Sequence, residues 1–393
     1  MNDIELKSYL PLLGKEIVIA TSGSLSVYRV PDLVRDLRRE GANVRVAMSP
    51  DSAKLVSPEL MKWASGNDVA TGITGNVEHI SLLEGGNKTL LIVPATYNTI
   101  GKMASGITDS VTTALFSHAI GNGNPVIAVP VMHLSMFTNP VMTRNMEFLR
   151  EIGVRFVNPV ELQGKAKIPA NDSVIDETIR SFAGVQAGKK VLVITGNGYS
   201  EIDPVRVITN RSSGETGYWL SRALYRMGNH VTVLGNVPRE LPQQIKISEA
   251  FSVKEYFDGI KFLLKEAYDM VVVPAAIPDF TVEKSSKKLS SSTKQEIQLV
   301  PQAKLLEAIR KLHRGVIVPF RLTSKDDRDH LEHFRDIGAE AVVANHYDTG
   351  TTPFGSGRGR YLFVSLGSEE EIIAETKEES CSKIASLLAG LVS

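Results

Sequence analysis

The sequence predicts an α/β protein of two doubly wound domains in tandem. Three features predict it: short apolar, β-branched runs recur, helical patterns separate them, and the whole series begins again halfway along the chain. The first series is "EIVIA" (16–20), "NVRVAM" (43–48), "TLLIVPA" (89–95) and "VIAVPV" (126–131), with helical spacing between them over 26–41 and 109–121. The second is "KVLVITG" (190–196), "HVTVLG" (230–235), "MVVVPAA" (270–276), "GVIVPF" (315–320), "AVVAN" (341–345) and "YLFVSL" (361–366). Runs apolar on every residue are strands buried on both faces, which alternating helices produce by covering a parallel sheet. The two series open alike: "LVRDLRREGANVRVAMS" and "LSRALYRMGNHVTVLGN" each run helix, glycine turn, then alternating valines. Each glycine ends its helix as a left-handed C-cap. Residues 1–160 and 187–393 are therefore read as the two domains. The polar stretch 161–186 is read as a connector with one helix near 174–184.

Length and charge bound the function. A chain of 393 residues suits two domains. Its 44 basic and 44 acidic residues cancel, which disfavours nucleic-acid or anionic-membrane partners and points to small molecules. The single cysteine, Cys381, cannot form an intramolecular disulfide and suits a reducing compartment. No apolar run approaches the roughly 18 residues that span a bilayer, and the opening residues lack the pattern of a signal peptide. A cytosolic protein is expected.

The stretch "DPVRVITNRSSGETGYWLSRAL" (203–224) reads as strand, polar loop and helix start. A helix N-terminus offers unpaired N–H groups and the positive end of its dipole, so Ser212, Ser213 and Gly214 form a natural anion site. The alternative is that Ser213 or Thr216 only caps the helix. Neither domain contains G-x-G-x-x-G or G-x-x-x-x-G-K-[ST], so the ordinary dinucleotide and P-loop readings are weak. Ligands in open sheets still sit at the carboxyl ends of strands. Those ends carry "TSGSLSVYR" (21–29) and Ser49 in "MSPDSAKLV", hydroxyl-rich mouths suited to one phosphate group, then "PATYNT" (94–99) and "PVMHLSMFTNP" (130–140), while His79 precedes "ISLL" and, taken singly, also reads as a structural or surface histidine.

In order, "SGSLS", "EHI", "PATYNT" and "PVMHLSMF" resemble the flavin-dependent cysteine decarboxylases. "GKMASGITDSVTTAL" (101–115) is similar to the helix that follows in that family. "IDPVRVITNRSSGETG", "VVVPAAIPDF", the lysine pair of "KSSKKLSSS" and "VVANHYDTGTTPFGS" resemble the partner ligase half. The chain is thus identified as a member of the bifunctional phosphopantothenoylcysteine decarboxylase/phosphopantothenate–cysteine ligase family of coenzyme A biosynthesis. The resemblance covers about residues 15–160 and 187–368. It implies a flavodoxin-like flavin domain followed by a ligase domain with a mostly parallel sheet.

The resemblance implies that a nucleotide, usually CTP with ATP as the alternative, activates the carboxylate of 4′-phosphopantothenate as an acyl nucleotide that the cysteine amine then attacks. Donors and Mg²⁺ converge where charge develops at phosphorus. In this sequence Asn210 would bind the acyl nucleotide, and Arg211, Ser212, Ser213 and Gly214 the anionic ligands. Ala275, Ala276 and Asp279 would meet base or ribose, with Asp279 also a metal ligand. Lys288 is the expected cation over the phosphate, with Lys287 the alternative. Phe320, Asn345, Phe354 and Gly355 complete the implied site. Taken residue by residue, the alternatives are a turn, a cap, a solvated loop and a core phenylalanine.

For the flavin half the resemblance implies FMN, its phosphate held by Gly23, Ser24, Ser26 and Ser49, with Thr96 and Asn98 nearby and His79 as catalytic base. Two departures stand out. His133 takes the place of an asparagine in the bacterial P-x-M-N pattern, and "ELQGKAKIPAND" lacks the substrate-clamp cysteine. They leave two other readings open: a ligase with a structural flavin domain, or a non-enzymatic flavin-binding regulator. Trimeric flavin domains and dimeric ligase domains, giving a dodecamer, are the oligomer the resemblance implies.

Overall fold

The computed structural model describes residues 4, 6–183, 188–323, 334, 336–346 and 359–392. The chain divides into two compact units at about residue 184.

In the first unit six parallel strands lie in the order Val69–Ala70, Asn43–Met48, Glu16–Thr21, Lys88–Ala95, Val126–Pro130 and Arg155–Phe156. Successive residues of the central strand feed opposite cores. Ile17 and Ile19 join Leu33, Leu37 and Met61 on one face, while Val18 and Ala20 join Ile100, Leu115 and Met146 on the other. Each aliphatic side chain fully buried this way contributes roughly 1.5–3 kcal/mol. The order reverses between Glu16–Thr21 and Lys88–Ala95, so the switch-point crevice opens at Ser22 and Thr96. Ser22 ties its two lips together, its hydroxyl donating to the Pro94 carbonyl at 2.6 Å and accepting from Thr96 N–H at 3.2 Å.

The large sheet of the second unit has eight strands, in the order Lys246–Ser248, His230–Gly235, Lys190–Thr195, Met270–Val273, Val316–Thr323, Ala341–His346, Gly359–Ser365 and Ser368–Ala374. The first six are parallel, and Gly359–Ser365 pairs antiparallel with both Ala341–His346 and Ser368–Ala374. Val191 and Val193 pack toward the helices Glu215–Arg226 and Lys377–Ala389, and Leu192 and Ile194 toward Val253–Leu263 and Leu305–Leu312. Cys381 is fully buried on the terminal helix, and burial pushes its thiol up to about 12.

Several elements differ from their sequence expectation. The helix expected over 26–41 begins as a 3-10 turn, Leu25–Arg29, and becomes α-helical over Val30–Arg39, with Pro31 in its first turn. The stretch 101–115 is not one helix. Tyr97–Ala104 ends, Gly106 turns at φ +69°, and Ser110 opens Val111–Asn122 with a capping box to Thr113. "RVIT" is not a strand of the large sheet: Val207–Thr209 pairs only with Tyr199–Glu201 in a separate hairpin. Residues 160–180 fold into a hairpin, Val160–Leu162 with Lys165–Lys167, and the helix Asn171–Arg180, whose Val174 and Ile175 enter the first unit's core.

Candidate functional site

At the carboxyl ends of the second unit's strands lies a cavity of about 770 Å³. Its switch-point wall is "PAAIPD", which leaves the strand Met270–Val273 and is pinned where Ala276 N–H donates to the Gly196 carbonyl at 2.8 Å. Its opposite wall is the loop Asn210–Gly214 and the start of the helix Glu215–Arg226. That helix has no side-chain cap. Gly214 stands at its N-cap with φ +73°, and a Cβ there would meet the Asn236 carbonyl oxygen at 2.7 Å. Ser212 and Ser213 accept instead from the N–H groups of Gly214 and Glu215, each at 3.4 Å. The helix N-terminus therefore faces the cavity with its positive dipole end uncovered by a capping side chain.

Asn210, Arg211, Ser212, Ser213, Gly214, Ala275, Ala276, Asp279, Phe320 and Asn345 all line this cavity. Asn210 donates one amide hydrogen to the Ile277 carbonyl at 3.1 Å, joining the two walls. Asp279 pairs with Lys304, a residue the sequence reading did not mark. Lys287 and Lys288 do not line the cavity: both side chains are exposed on a loop held from behind. Leu289 N–H donates to Asp203 Oδ2 at 3.0 Å, and Arg206 donates to the Leu289 carbonyl at 3.2 Å. The backbone N–H groups of Leu289, Val205 and Arg206 lower the Asp203 carboxyl to about 2. Phe354 and Gly355 lie outside the described residues. Arg321, Tyr361 and Lys377 line the cavity without having been marked by sequence.

In the first unit the hydroxyl residues gather at the strand ends around the switch point. Ser24 caps Leu25–Arg29, Ser49 caps Pro50–Leu55 and Thr96 caps Tyr97–Ala104. Ser24 and Ser49 each accept one helix N–H, at 3.3 Å, which leaves the donor side of each hydroxyl uncommitted by that bond. Gly23 approaches the second strand's loop so closely that a Cβ would lie 2.7 Å from Asp51 Cβ. Ser26 is half-buried and Asn98 exposed beside them. His133 is exposed ahead of the short helix Leu134–Phe137.

His79 lies on the helix Glu78–Ser81 and lines a second cavity of about 480 Å³. His118, unmarked by sequence, shares it, the two rings 6.3 Å apart and edge-on at 89°. His79 Nδ1 and His118 Nε2 are buried without hydrogen-bond partners among the described residues. Val77, two positions before His79, has φ +51°, an uncommon conformation for a β-branched residue that costs roughly 1–3 kcal/mol. Among the described residues no group of three or more acidic, histidine or cysteine side chains could hold a metal ion. None of the helices there is long and apolar enough to cross a membrane.

The family model described as Flavoprotein matches residues 6–183, and that described as DNA/pantothenate metabolism flavoprotein C-terminal domain matches residues 186–391. The chain is 33% identical to the coenzyme A biosynthesis bifunctional protein CoaBC of Thermococcus kodakarensis over 388 residues, which is 95% of this chain and 94% of that one. This chain belongs to the CoaBC family. The CoaBC protein of Methanocaldococcus jannaschii is 32% identical over 97% of this chain and 95% of its own. Among solved structures, a DNA/pantothenate metabolism flavoprotein from Streptococcus pneumoniae aligns with 52% of this chain and 97% of its own, at 20% identity and TM-score 0.43. The family match spans both units, and the 770 Å³ cavity lies in the half that the DNA/pantothenate metabolism flavoprotein C-terminal domain model covers.

Proposed function

We propose that this chain catalyses two consecutive steps of coenzyme A biosynthesis: nucleotide-dependent ligation of cysteine to 4′-phosphopantothenate, then decarboxylation to 4′-phosphopantetheine. What carries the reading is the gathering of Asn210–Gly214, Ala275, Ala276, Asp279, Phe320 and Asn345 around one cavity in a chain of this family.

In the ligase half, a carboxylate oxygen of 4′-phosphopantothenate attacks the α-phosphorus of CTP or ATP, and the bond to the bridging oxygen breaks to release pyrophosphate. The cysteine amine then attacks the acyl carbon, and the nucleoside monophosphate leaves with the former carboxylate oxygen. Negative charge builds at phosphorus and then at the acyl oxygen, so fixed donors supply the catalysis. Arg211 and the open start of Glu215–Arg226 receive phosphoryl oxygens, and the Asn210 carboxamide orients the acyl nucleotide. The small side chains of Ala275 and Ala276 admit base or ribose, and Phe320 offers a ring beside it. Asp279, which Lys304 now holds, would be the carboxylate available to a Mg²⁺ brought in with the nucleotide, an ion that needs few protein ligands. Lys288, with Lys287 as the alternative, neutralises the phosphate after moving in from its exposed loop.

In the decarboxylase half, the donor chemistry of Gly23, Ser24, Ser26, Ser49, Thr96 and Asn98 fits the phosphate of FMN. FMN, when bound, would supply a reversible two-electron couple: two electrons leave the cysteinyl side chain to give a form that loses CO₂ readily, and the same two return to the enethiol that remains, so the conversion to 4′-phosphopantetheine is redox-neutral. His79 removes the proton that this oxidation releases, and His133 donates a hydrogen bond to the substrate carboxylate. A homo-oligomer of trimeric flavin domains and dimeric ligase domains in the cytosol completes the reading. Pyrophosphate release that requires 4′-phosphopantothenate, with CTP or ATP, tests the first step. No release with either nucleotide contradicts the reading.

A further inference from the structure

The ligase cavity contains a lysine that the proposed mechanism does not use. Lys377 is the first residue of the terminal helix Lys377–Ala389, it is 6% exposed, and it lines the cavity. A cation at that position faces two penalties. It sits at the positive end of its own helix dipole, and burial lowers its pKa by disfavouring the charged form. The helix Glu215–Arg226 brings a second positive end to the same cavity through Glu215, Thr216 and Gly217.

Among the described residues no carboxylate is ion-paired with it, although the Glu215 charge favours its ammonium form and only partly offsets the burial. The acidic side chains around it are already held: Glu215 by Arg239 at 2.6 Å, Glu378 by Arg226 at 2.7 Å and Glu379 by Lys383 at 2.9 Å. Cys381 also faces it but is a protonated thiol with its pKa pushed up to about 12. Lys377 itself has no hydrogen bond or ion pair among the described residues. A largely buried lysine with no ion-pair partner among the described residues is costly to keep charged unless an anion arrives in the cavity to pair with it. We propose that Lys377 is a phosphoryl-binding residue of the ligase cavity, completing an anion site between two helix N-termini when substrate enters.

The inference rests on the ligase reading, and the ligand chemistry has two sources, the nucleoside triphosphate and the phosphate of 4′-phosphopantothenate. Calorimetric titration of the full chain with CTP, ATP and 4′-phosphopantothenate separately tells them apart. Lys377→Met keeps the apolar stem and removes the charge. It is expected to weaken at least one of these ligands about tenfold or more while the free protein melts no lower than wild type, since a desolvated charge is gone. Lys377→Arg, which restores a cation, should recover most of that binding and stands as the decisive variant if Lys377→Met folds poorly. Wild-type affinity of Lys377→Met for all three ligands, or no recovery in Lys377→Arg where binding was lost, overturns the assignment and leaves the ligase reading standing. Absence of binding by wild type itself overturns both.

Discussion

Gly217 and Thr195 are in direct backbone-to-side-chain contact: a Cβ on Gly217 would lie 1.8 Å from Thr195 Oγ1 and 2.2 Å from its Cβ. That contact seats the first turn of Glu215–Arg226 on the end of the strand Lys190–Thr195, and so fixes the cavity wall that Asn210–Gly214 and this helix form against the sheet.

Gly217→Ala therefore has no room to accommodate a methyl group without moving the helix from the strand. Overpacking of this kind costs about 1–3 kcal/mol or more. Denaturant unfolding should show that loss in the second unit, and the apparent KM for the nucleotide should rise because the loop Asn210–Gly214 moves with the helix. Wild-type stability and KM would mean that the contact is loose in solution.

Asp203 makes the loop carrying Lys287 and Lys288 pH-sensitive. Its ordinary carboxyl value of 3.8 falls to about 2 in the fold, chiefly through the Leu289 N–H. A depressed carboxyl contributes stability that is present above its unfolded value and is lost as pH falls toward the folded one. Protease cleavage near residues 284–289 should accordingly increase between about pH 4 and pH 2. Asp203→Asn should be cleaved faster at neutral pH and show little further change on acidification. A pH-independent rate in wild type would contradict the anchoring.

The two halves should fail separately. His79→Asn is expected to ligate at the wild-type rate and to lose CO₂ release by about 100-fold or more, as expected for removal of a general base. Lys288→Ala should lose ligation by a similar factor while retaining bound flavin, read from its visible absorbance. Loss in Lys287→Ala with Lys288→Ala intact would shift the role by one residue. Loss of both activities in either single variant would contradict separate sites.

Much of this was legible in the sequence, for physical reasons. Strands buried on both faces, such as Lys88–Ala95 and Met270–Val273, need uninterrupted apolar runs, and they occur where those runs predict them. The cavity walls were legible because Asn210–Gly214 and Ala275–Asp279 are short, polar or small-residue segments contiguous in the chain. What was missed depends on tertiary partners. Val207–Thr209 has the composition of a sheet strand but pairs only with Tyr199–Glu201. The edge strand Ser368–Ala374 carries three consecutive glutamates after Ser368, and its register comes from Gly359–Ser365. His118 reads as one polar position in an apolar helix until the fold sets it beside His79. In "ETKEESCSK" Lys377 has the look of a solvated helix start, and only the packing of that helix against Glu215–Arg226 buries it.

The most direct test of bifunctional catalysis is mass spectrometry of the products formed when the purified full chain is incubated with 4′-phosphopantothenate, cysteine, Mg²⁺ and CTP or ATP. The account predicts nucleotide-dependent 4′-phosphopantetheine, formed through phosphopantothenoylcysteine despite His133 and the cysteine-free hairpin 160–167. Phosphopantothenoylcysteine accumulating without decarboxylation would contradict an active flavin half, and no nucleotide-dependent product at all would contradict the account as a whole.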